Sequence, residues 1–169
     1  SLSVTQGARF AVFPVDLSQA LDNTTVAGNV RLRGAPASAQ IAFVVKGANG
    51  MNGTAASGPD GAYTVAIQPG SYDVYAFAAL ERGAFLGTLD LVAGAPRTFD
   101  IPLEDAVRVA GVTTVRGTVP SAANLTFTAA AGRTFLRSDA GGDYEVFLPA
   151  GTYSVEANAA GTERGVTVA

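Results

Sequence analysis

Asp60-Gly61-Ala62-Tyr63-Thr64-Val65-Ala66-Ile67-Gln68-Pro69-Gly70-Ser71-Tyr72-Asp73-Val74 is the stretch from which the rest of the chain can be read. Asp-Gly opens it as a tight turn, since Gly supplies positive φ and Asp bonds its own backbone. Tyr63, Val65 and Ile67 then alternate with Thr64 and Ala66, the period of a strand with one buried face. Pro69-Gly70 turns the chain again, and Tyr72, Val74, Tyr75 and Phe77 continue as the next strand.

The same pattern recurs later as Gly142-x-Tyr144-x-Val146-x-Leu148-Pro149-x-Gly151-x-Tyr153-x-Val155. Working outward, Val26-Ala27-Gly28 answers Val109-Ala110-Gly111, and Arg33-Gly34 answers Arg116-Gly117. Pro36 and Ile41-Ala42-Phe43 answer Pro120 and Leu125-Thr126-Phe127, and Glu81-Arg82-Gly83 answers Glu163-Arg164-Gly165. A fixed period of this kind governs the whole architecture. The sequence predicts an all-β chain of two tandem Greek-key sandwich domains, 23–105 and 106–169, preceded by an N-terminal strand and linker at 1–22. The Asp60-Gly61 and Asp139-Ala140-Gly141-Gly142 clusters are expected as tight hairpins. Calcium is the alternative reading of these clusters, but each lacks the several oxygen ligands that calcium needs. The only helix candidate, Asp16 to Asp22, is short and reads better as a linker turn.

These motifs resemble the central part of carboxypeptidase regulatory-like domains, which have a transthyretin-like sandwich. Gly28 and Gly34, with Gly111 and Gly117, are similar to that family's first strand and the turn after it. Ile101-Pro102-Leu103 is similar to its last strand. The resemblance implies a seven-stranded sandwich in secreted or surface proteins, with scaffolding, adhesive or accessory roles and no catalytic residues. The neighbouring surface sandwiches with Lys–Asn cross-links fit less well, because the single Lys46 could serve one domain at most.

The two copies end differently. The first runs on through Thr88-Leu89-Asp90-Leu91 and Arg97 to Ile101-Pro102-Leu103, with Phe99, Ile101 and Leu103 on one face. The second stops five residues after Glu163-Arg164, at Ala169. Its continuation is found at the front, as Ser1-Leu2-Ser3-Val4 and Arg9 to Phe13-Pro14-Val15. Val26 and Val109 are 83 residues apart, and 86 residues lead from Val109 round the join of the ends to the next Val26. The N-terminal strand is apolar on both faces, with Phe10 and Val12 where the first copy has Thr98 and Asp100. Such a strand fits an interface better than a free tail.

Composition narrows the chemistry. With no Cys and no His, the chain lacks disulfides, thiolate nucleophiles, a Ser-His-Asp triad and the commonest metal ligands. Its cations are ten Arg and Lys46, and its carboxylates stand singly beside turns, so no enzyme, cofactor or metal is expected. A net charge of −3 without a basic stripe argues against nucleic acid. No stretch of about 18 apolar residues is present for a membrane helix, and any secretion signal is expected to have been removed. Three sequons, at Asn23, Asn52 and Asn124, mark candidates for N-glycosylation on a secreted surface.

The expectation is a structural subunit of an extracellular, pilus-like filament, polymerised head-to-tail with identical subunits. Phe10, Ala11, Val12, Phe13, Val15 and Leu17 form the donor strand. Val109, Val115, Phe127, Val146, Leu148, Val155 and Val166 line the acceptor groove of the next copy. A longer tandem array at the cell surface, or a strand folded back onto its own chain, accounts for the same seam. From another class, a carbohydrate-binding accessory module facing surface glycans would need an aromatic platform, and the chain has no Trp.

Overall fold

The computed structural model describes residues 23–47, 51–159 and 166–168; it is all-β, with no helix among those residues. The first strands are β1 (Thr24–Leu32), β2 (Ala35–Pro36), β3 (Gln40–Val45), β4 (Met51–Ala56) and β5 (Ala62–Ile67). Then come β6 (Gly70–Ala78), β7 (Gly83–Leu91), β8 (Arg97–Thr98), β9 (Ile101–Val115) and β10 (Val119–Pro120). The last are β11 (Ala123–Ala129), β12 (Gly132–Arg137), β13 (Asp143–Pro149), β14 (Ser154–Ala159) and β15 (Val166–Val168).

In the first copy, β1 serves two partners. Thr24–Asn29 pairs antiparallel with β5, and Val30–Leu32 pairs in parallel with Ile101–Leu103, the start of β9. Facing this layer is the antiparallel sheet β4-β3-β6-β7. Val26, Val30, Tyr63, Ile67 and Ile101 point inward and meet Ile41, Phe43, Tyr72, Val74 and Leu89, none more than 4% exposed. Each large apolar side chain withdrawn in this way contributes about 1.5–3 kcal/mol. The odd positions of the closing segment follow the same rule, with Ile101 and Leu103 buried, Phe99 packed against the core, and Thr98, Asp100 and Pro102 exposed.

The second copy repeats the layout. β13 pairs antiparallel with Ala106–Val112 of β9 as β5 does with β1, and β12-β11-β14 repeats β4-β3-β6. Its smaller core is Leu125, Phe127, Tyr144, Val146 and Leu148. The step between copies contains no linker. β9 runs unbroken for 15 residues through 105/106, closing one copy and opening the next. The Arg-Gly motif turns the chain in both copies with positive φ at both residues, 49° and 82° at Arg33-Gly34 and 53° and 74° at Arg116-Gly117. That backbone matches the mirror-image turns favoured by twisted strands.

One expectation is corrected. The turns at Asp60-Gly61 and Asp139-Ala140-Gly141-Gly142 exist, but they are not hairpins. β4 pairs with β3 while β5 pairs with β1, and β12 pairs with β11 while β13 pairs with β9. Each turn is an arch that carries the chain from one layer to the other. Asp60 Oδ1 accepts the Ala62 N–H at 3.1 Å, and Asp139 Oδ1 accepts the Asp143 N–H at 2.8 Å. A buried serine pins each arch. Ser57 Oγ accepts the Ala39 N–H and donates to the Ala37 carbonyl, both at 2.8 Å, and Ser138 Oγ accepts the Ala123 N–H at 2.8 Å. Ser57→Ala and Ser138→Ala would strand these buried backbone groups. Each is expected to cost about 1–3 kcal/mol, read as a lower urea midpoint with an unchanged slope.

Candidate functional site

The site is the closing edge of the second copy, and its geometry is clearest beside the first. There β8 pairs in parallel with Val26 and Ala27, and the Phe99 N–H donates to the Ala27 carbonyl at 2.9 Å. Ile101–Leu103 then continues along Val30–Leu32. Tyr63 Oη donates to the Phe99 carbonyl at 2.6 Å, and Asp100 Oδ1 accepts the Asn29 N–H at 2.8 Å. The fit depends on Gly28, because a Cβ at that position would be driven into the Phe99 carbonyl. Burial, then the nearby Asp100 charge, raises the Tyr63 phenol well above its ordinary pKa, so it stays a neutral donor.

The second copy keeps the counterparts Val109, Ala110, Gly111, Thr113–Val115 and Tyr144. Beside Thr113–Val115 lies β15, antiparallel, where the first copy has a parallel strand. β14 pairs with β11 alone among the described residues, whereas its counterpart β6 lies between β3 and β7. The side chains register the difference: Val74 is 0% exposed and its counterpart Val155 is 43% exposed.

Of the acceptor residues expected from sequence, Phe127, Val146 and Leu148 share the small core, and Val109 packs against it. Val115 is also buried, Val155 stands exposed on β14, and the backbone of Val166 faces Val115. The donor residues Phe10, Ala11, Val12, Phe13, Val15 and Leu17 lie outside the described residues, as does the segment Asp16 to Asp22. Among the sequons, Asn23 is exposed just before β1, Asn124 is exposed on β11, and Asn52 falls on β4.

Sequence reasoning missed the joint between the copies. Asp73, 4% exposed, holds Arg133 Nε at 2.5 Å, and the guanidinium lies 5.0 Å from the centre of the Phe135 ring. Tyr75 Oη donates to the Phe147 carbonyl at 2.8 Å, and burial above all pushes its phenol up to about 12. Phe77 stacks on Phe147 with centroids 4.8 Å apart. The available signal was β6 itself, apolar at Val74 and Ala76 and aromatic at Tyr75 and Phe77 on the opposite face. Thr113 was also missed. It replaces Val30 of the first copy, is fully buried, and its hydroxyl lies 2.8 Å from Ser138 Oγ.

No family model matches the chain, and no curated protein does. Among solved structures it is similar to the TIE protein of Bacillus anthracis, with 14% identity and a TM-score of 0.41, over 87% of this chain and 31% of that one. It is also similar to a streptococcal ancillary pilin, with 12% identity and a TM-score of 0.38, over 89% of this chain and 58% of that one. A DUF3823 family protein from Bacteroides ovatus shares 10% identity with a TM-score of 0.41, over 86% of this chain and 96% of that one.

Proposed function

We propose that the chain is a structural subunit of an extracellular, pilus-like filament, built from two tandem transthyretin-like sandwich units similar to carboxypeptidase regulatory-like domains. Residues 1–17 of one copy complete the second unit of the next. The observation that carries this reading is the unequal closure of the two copies, parallel along Val30–Leu32 and antiparallel along Thr113–Val115. Only residues 1–17 repeat the closing strand of the first unit. Transferring the first unit's register sets Phe13 opposite Thr113 and Val15 opposite Val115. It also sets Leu2 opposite Tyr153, as Leu89 faces Tyr72. Val166–Val168 then moves beside β14, the place β7 takes beside β6. The joint of Asp73, Arg133, Tyr75, Phe77 and Phe147 would hold the two units of each subunit at a fixed angle. The contact is heterologous and repeats without closing unless rotation makes a ring.

The absence of Cys makes the test simple. Val15→Cys and Val115→Cys chains are mixed and oxidised, and disulfide-linked pairs of the two variants are expected. In the doubly substituted chain the same reading gives a ladder of linked multimers. A doubly substituted chain that links only to itself would show self-closure, and no linkage in either case would remove the assigned register.

A further inference from the structure

A cleft of about 690 Å³ lies between the β4-β3-β6 strands of the first copy and the β12-β11-β14 sheet of the second. Gln40 and Thr54 line one wall, and Asn124, Thr126 and Asn158 the other. Asn124 and Asn158 stand opposite each other on neighbouring antiparallel strands, so their side chains emerge on one face. Phe77 and Phe135 supply aromatic surface between the polar groups. β3 and β11 are each paired on both sides, so their main-chain groups are engaged within their own sheets. Recognition on these two strands therefore falls to side-chain amides and hydroxyls. Among the described residues no carboxylate lines the cleft, and the charged side chain there, Arg133, is bound by Asp73.

We infer that this cleft is a binding site for a neutral saccharide. The volume lies within the range of small-ligand sites. The Asn124 amide offers a carbonyl acceptor and two N–H donors, and Asn158, whose Nδ2 donates to Glu156 Oε1 at 3.2 Å, still offers its carbonyl and a second N–H. Together they match neighbouring sugar hydroxyls, while the C–H face of a pyranose can lie on Phe77 or Phe135. An alkyl chain would strip water from five polar side chains without replacing their bonds, and an anion would find no uncommitted charge. Asn124 is then a ligand contact, while Asn23 remains an exposed candidate for modification. The inference stands whether or not the subunit forms filaments.

Titration calorimetry of the 169-residue chain against maltopentaose, cellopentaose and chitotetraose tests it, with trigalacturonate and laurate as contrasting probes. At least one neutral oligosaccharide is expected to bind saturably. Asn124→Ala combined with Asn158→Ala is expected to weaken it about tenfold or more, each lost hydrogen bond accounting for roughly a factor of ten or less. Gln40→Ala, on the opposite wall, is expected to weaken it as well, with circular dichroism melting unchanged in both variants. Failure of all three neutral sugars to bind would overturn the inference. So would unchanged affinity in the variants, or tighter binding of trigalacturonate or laurate.

Discussion

Gly28→Val is expected to open the first unit, and Gly111→Val, at the matching position of the second, to leave folding intact and stop assembly. The first expectation is steric. A Cβ at Gly28 runs into the Phe99 carbonyl, and the closing segment cannot yield without losing the Phe99–Ala27 bond and the Tyr63 contact with the same carbonyl. Overpacking of a side chain against backbone, with those hydrogen bonds lost, is expected to cost about 3 kcal/mol or more. Urea unfolding followed by circular dichroism measures it. Gly111 holds the same place on β9, opposite Tyr144 as Gly28 is opposite Tyr63. In the filament reading Ala11 of another copy takes the position of Phe99, so a valine at 111 meets the donor strand. Its urea midpoint is expected to stay near the parent's, while electron microscopy shows no fibres. Full-length fibres from Gly111→Val would count decisively against strand donation.

The parts of the fold legible in the sequence are those set by local pattern. Tyr63, Val65 and Ile67 alternate with polar or small residues and form a strand; the pattern sets Phe99, Ile101 and Leu103 on one face, and Ile101 and Leu103 are buried there. What could not be read is which strand lies beside which. Gly61 and Gly142 specify a change of direction through their own φ, but the partner of β5 is chosen by the face that must cover Ile41 and Phe43. Hence an arch stands where a hairpin was expected. The sequence reading divides the copies between Asp105 and Ala106. Nothing in Glu104-Asp105-Ala106 breaks a strand, and the chain runs straight through. The Asp73–Arg133 pair spans 60 residues and has no local signature at all. The cleft is equally hidden, since Gln40, Asn124 and Asn158 look like ordinary exposed positions until two sheets bring them together.

Register supplies the sharpest remaining test of assembly. Side chains of an inserted strand alternate between faces, so charges placed at two positions of the same donor should differ greatly in effect. Phe13 corresponds to Ile101, which is 0% exposed in the first unit. Phe13→Asp therefore places a carboxylate at the position that a buried apolar side chain, Ile101, fills in the first unit. Burying that charge, or protonating it to avoid doing so, costs several kcal/mol. Assembly is expected to be abolished. Ser3 corresponds to Asp90, exposed on β7, so the first unit already carries a carboxylate at that position. Ser3→Asp is expected to polymerise much as the parent does. Sedimentation velocity and electron microscopy on the two purified variants give the comparison. Loss of fibres in both would point to charge rather than register as the cause, and fibres in both would mean that residues 1–17 do not enter the second unit along Thr113–Val115.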